Sequence, residues 1–127
     1  MPVGARGECR FDLAENGECS LLFTNAALMT AERELGTTFP GIIRQLEGTN
    51  LSLTNCRTLV RIGMETARRE NHEARGSYTD ADAQKVLDQV GYFNVTVALT
   101  AAIMMVFNFG RYQQKTEAKQ DDANPPA

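Results

Sequence analysis

With 127 residues, a net charge of −3 and 23% charged residues, the chain has the size of one domain with a real hydrophobic core. That balance weighs against a protein whose main work is neutralising phosphates. The N-terminus, MPVGARGECRFDL, lacks the apolar run of a signal peptide, so a cytoplasmic protein is expected.

Cys9, Cys19 and Cys56 are odd in number and show no C-x-x-C spacing, which disfavours a disulfide framework and a zinc site. They read as buried thiols acting as small hydrophobes. From Glu8 to Phe23 the pattern has period two. Cys9, Phe11 and Leu13 alternate with Glu8, Arg10 and Asp12, then Cys19, Leu21 and Phe23 alternate with Glu18, Ser20 and Leu22. This predicts a β-hairpin with one buried face. A two-residue turn at Asn16-Gly17 would set the two apolar rows on opposite faces. A three-residue loop, Glu15-Asn16-Gly17 with Gly17 in the left-handed region, pairs Leu13 with Cys19, Phe11 with Leu21 and Cys9 with Phe23, and is the preferred register.

Helical signals follow. Thr24 or Asn25 can cap a helix over Ala26 to Leu35 that Gly36 ends, with Leu28, Ala31 and Leu35 inward. Thr38 opens a short helix with Pro40 in its first turn and Phe39, Ile42, Ile43 and Leu46 on one side, stopped by Gly48. Ser52 or Thr54 begins a longer helix to about Glu70, with Cys56, Leu59, Val60, Gly63, Met64 and Ala67 inward and Arg57, Arg61, Arg68 and Arg69 outward around Glu65. Residues 71–78 read as a polar loop. Thr79 starts a fourth helix with Asp80 and Asp82 in its first turn and Ala83, Val86, Leu87 and Val90 as its stripe, ended by Gly91.

Tyr92 to Phe109, YFNVTVALTAAIMMVFNF, then runs without a charged residue. Its length permits a membrane span. Asn94, Thr96, Thr100 and Asn108, with Ala98, Ala101 and Ala102, make insertion weak. Four amphipathic helices and a hairpin each need a surface to cover, and one all-round apolar helix supplies it. The chain therefore reads as α+β, mostly α: an N-terminal β-hairpin followed by about five helices, the last all-round apolar. Residues 1–110 form one globular domain, and 111–127 a flexible polar tail.

No reactive constellation stands out. His72 is the only histidine and has no nucleophile motif or phosphate loop beside it, so a solvated surface residue is expected. Glu65, Glu70 and Glu73 read as a solvated charge run rather than an acid/base pair. The stripe Arg57, Arg61, Arg68 suits a phosphate backbone by spacing, but Glu65 interrupts it and no aromatics interleave. No enzyme activity, catalytic residue, metal or cofactor is expected.

The segment FTNAALMTAERELG, Phe23 to Gly36, follows a hairpin and precedes a short FPGIIRQLEG helix. With N-A-x-x-x-x-x-E-x-x-x-G in its first helix and T-D-A-D-A-x-x-V-L-x-x-V-G before a final apolar helix, the chain from the hairpin to about Phe109 resembles the gene-transfer-agent type tail-assembly chaperones of tailed bacteriophages, also labelled phage tail tube proteins. The charged RENHEAR loop and the residues after Arg111 fall outside the likeness. The resemblance implies a non-enzymatic, self-associating protein of the bacterial host cytoplasm. Such a protein coats the apolar helical tape-measure protein until the tail tube polymerises around it, with neither nucleic acid nor membrane as partner. A structural tube or adaptor protein retained in the virion is the alternative that it also admits. Met29, Met104, Met105, Phe107 and Phe109 are the candidate partner-binding residues, because methionine adapts to varied apolar partners; ordinary core packing is the competing role for each.

Overall fold

In a computed structural model the described residues are 7–14, 17–73 and 76–108. Strands β1 (Glu8–Asp12) and β2 (Glu18–Leu22) form a two-stranded antiparallel hairpin, followed by helices α1 (Asn25–Leu35), α2 (Phe39–Glu47), α3 (Leu53–Glu70), α4 (Asp80–Val90) and α5 (Tyr92–Asn108). The architecture is α+β and mostly α, as the periodicities predict.

The hairpin register differs from the expected one by two residues. Phe11 faces Cys19, Cys9 faces Leu21, and pairing ends at Asp12 and Glu18. The Asp12 carboxylate accepts the Ala14 N–H at 3.1 Å, and Leu13 donates its N–H to the Gly17 carbonyl at 2.7 Å, so the chain begins to turn earlier than the pattern suggests. Ala14 (φ 56°) takes up left-handed backbone as well as Gly17 (φ 80°). A slip of two leaves the faces unchanged: Cys9, Phe11, Cys19 and Leu21 are all buried. Leu22, expected to face water, is buried too.

Helices α1 to α4 each start where a hydroxyl can satisfy an orphan N–H. Thr24, Thr38, Ser52 and Thr79 accept from the N–H groups of Ala27, Gly41, Asn55 and Asp82, and Asp82 returns the bond to Thr79 in a capping box. Gly36 ends α1 in the left-handed conformation. The Glu32 carboxylate accepts the Phe39 N–H at 2.6 Å, which fixes the start of α2 to α1.

The centre of the molecule is α3 rather than the apolar helix. It packs on β2, α4, α1 and α5, and buries Cys56, Leu59, Val60, Ile62, Gly63, Met64 and Ala67. Gly63 is where the hairpin and α3 meet: a Cβ there would stand 2.8 Å from the Phe23 ring and 3.0 Å from Leu21, so only glycine permits this approach. The last helix packs against α2, α3, α4 and β1. Tyr92 anchors its first turn by donating its hydroxyl hydrogen to the Leu51 carbonyl. No single helix among the described residues is long and apolar enough to cross a membrane, and α4 and α5 meet at 109°.

Candidate interaction surface

An α-helix without charges has no polar face to tell it which side to bury, so its neighbours decide. On α5 they cover Val95, Leu99, Ala102 and Ile103, which are fully buried, with Thr96 beside them. These residues join one core with Ile43, Val60, Val86 and Leu87. The opposite side of the helix stays open. Phe93 is 69% exposed and Val97 54%, Ala101 is exposed, and Met104 is half-buried one turn further on. The spacing i, i+4, i+8, i+11 lines them up along the helix.

Polar groups on α5 do not break up this line. Asn94 donates its side-chain amide to the Val90 carbonyl at 3.1 Å. Thr96 and Thr100 donate their hydroxyls to the carbonyls of Phe93 and Thr96 at 2.9 and 2.7 Å. Both threonine hydroxyls and one N–H of the Asn94 amide are thus turned back on the helix backbone, while the exposed Asn94 side chain borders the line beside Phe93.

The five residues singled out in the sequence fall into different environments. Met104 and Met105 are half-buried, and Phe107 is 50% exposed with its ring set edge-on against Phe39 of α2. Met29 is 58% exposed, but it lies on the outer side of α1, away from Ala27, Leu28 and Ala31 and on a helix packed against α3 and α2. Phe109 lies outside the described residues, as does the tail 111–127. Phe93 and Val97, the most exposed large apolar side chains of α5, were not among the candidates. Their signal was present in the sequence as the spacing that joins them to Met104, with the exposed Asn94 beside Phe93.

The arginine stripe is occupied by carboxylates. Arg61 bridges Glu34 of α1 and Asp80 of α4, the latter at 2.9 Å, and Arg57 lies 3.7 Å from the same Asp80. Arg68 and Arg69 both bind Glu65, which also accepts the Tyr78 N–H at 3.0 Å. The hydrogen bonds from Arg68 come first among the causes that hold the Glu65 carboxyl down at about 2, followed by the Tyr78 N–H and the charges around it. Glu65 is therefore a structural anchor for the segment leading into α4 rather than a solvated charge. His72 is exposed just past α3, with φ 53°.

All three thiols are buried. Burial pushes Cys9 up to about 12, helped by the nearby Cys19, and Cys19 and Cys56 up to about 11. Among the described residues no group of three or more His, Cys, Asp or Glu could hold a metal ion. The cleft between α1 and α3, about 510 Å³, is walled by Arg33, Glu34, Arg61, Glu65, Arg69 and Glu70. Its alternating signs select neither an anion nor a cation.

The chain matches no protein-family model, no curated protein and no solved structure.

Proposed function

We propose that this protein is a bacteriophage tail-assembly chaperone. In the cytoplasm of the bacterial host it holds apolar helical segments of the tape-measure protein against the outer face of α5 before the tail tube polymerises. The observation that supports this reading is the uncharged, solvent-facing line Phe93, Val97, Ala101 and Met104. A contiguous exposed apolar patch marks a place where something else is to be bound, and a helix laid along such a line is read by anchors one turn apart.

The magnitude suits a reversible shield. With about 150–250 Å² of surface on an aromatic side chain and Phe93 the one ring on it, the α5 line offers roughly 300 Å², under half of the roughly 800 Å² that each side of a stable complex buries. A contact of that size is one that growing tube contacts can displace. Phosphate binding by Arg57, Arg61 and Arg68, in contrast, would have to displace Asp80, Glu34 and Glu65.

Two experiments test the proposal. Capture of the co-expressed tape-measure protein should be lost on Phe93→Asp and Met104→Asp and weakened on Phe107→Asp. Unchanged capture by stably folded variants refutes the surface. Mass spectrometry of purified particles should find none of the protein. Many copies per particle would instead establish a structural tube or adaptor component retained in the virion.

A further inference from the structure

We draw no further inference here: the strongest candidate, the exposed apolar patch of Phe93, Val97, Ala101 and Met104 along the outer face of α5, belongs to the surface already described, and nothing in the structure shows what else would cover it.

Discussion

The ring of Phe107 meets that of Phe39 with centroids 5.3 Å apart and planes at 78°, an edge-to-face pair that ties the last turn of α5 to the start of α2. Because Glu32 holds the Phe39 N–H, the tie runs on to α1. Phe107 therefore has two roles, half core and half surface, whereas Phe93 is mostly surface.

This difference is measurable. Aromatic pairs contribute about 0.5–1.5 kcal/mol beyond their buried area. A double-mutant cycle of Phe39→Ala and Phe107→Ala in urea unfolding should return a coupling of that size, and Phe107→Ala alone should cost about 1–2 kcal/mol. Phe93→Ala should stay within about 0.5 kcal/mol of the parent, as substitutions at exposed sites do. A zero coupling would remove Phe39 as the anchor of α5.

At Gly63 the expectation is overpacking. A methyl group between α3 and the hairpin must displace the Phe23 ring and Leu21, both fully buried, so Gly63→Ala should destabilise by about 1–3 kcal/mol despite the better helix propensity of alanine. Thermal or urea unfolding checks it; a stabilised variant would mean that the hairpin sits farther from α3.

Glu65 sets a pH window. Its carboxyl titrates at about 2 in the folded chain against 4.5 for the free side chain, so the unfolded state binds the extra proton between those values. The contribution to stability is complete above about pH 4.5 and is lost as pH falls towards 2. Glu65→Gln should flatten the acid limb of the stability profile in that window and leave its shape above pH 5 unaltered, though the whole curve sits lower because Tyr78 and Arg68 lose their acceptor. An acid limb as steep as the parent's would contradict the assignment.

The thiols should be nearly inert while the chain is folded. With Cys9, Cys19 and Cys56 buried and pushed up to about 11–12, a thiol reagent at pH 8 should label them at least a hundredfold more slowly than in denaturant. Rapid native labelling of any one of them would show that its burial is wrong.

Local chemistry made much of this fold legible. Thr24, Thr38, Ser52 and Thr79 are caps that act within three residues, and Gly36, Gly48 and Gly91 are stops that act within one turn, so each could be read without knowing the tertiary structure. The inward face of the hairpin was legible for a similar reason: period two survives a slip of two. Its register was not, because the turn starts with the Asp12 side chain bonding Ala14, a contact that a hydrophobic pattern does not encode. The wet side of α5 was only faintly legible. Asn94, one turn before Val97, marks it, but the buried Thr96 shows that a polar side chain on this helix is no sure guide, and the placement of α2, α3, α4 and β1 is what separates Leu99 from Val97. Reading candidates from methionine content picked Met104 and Phe107, which stay partly exposed on α5, and Met29, exposed on α1, and did not pick the more exposed Phe93 of α5 or Val97.

The most direct test of the central claim is the affinity of an apolar tape-measure helix for three stably folded chains: the parent, Phe93→Asp with Val97→Asp, and Met29→Asp. At least a tenfold loss is expected for the α5 double variant, with the melting curve kept, and parent-like binding for Met29→Asp. Parent-like binding by the α5 double variant, or a loss confined to Met29→Asp, would contradict the assignment of the partner surface to the outer face of α5.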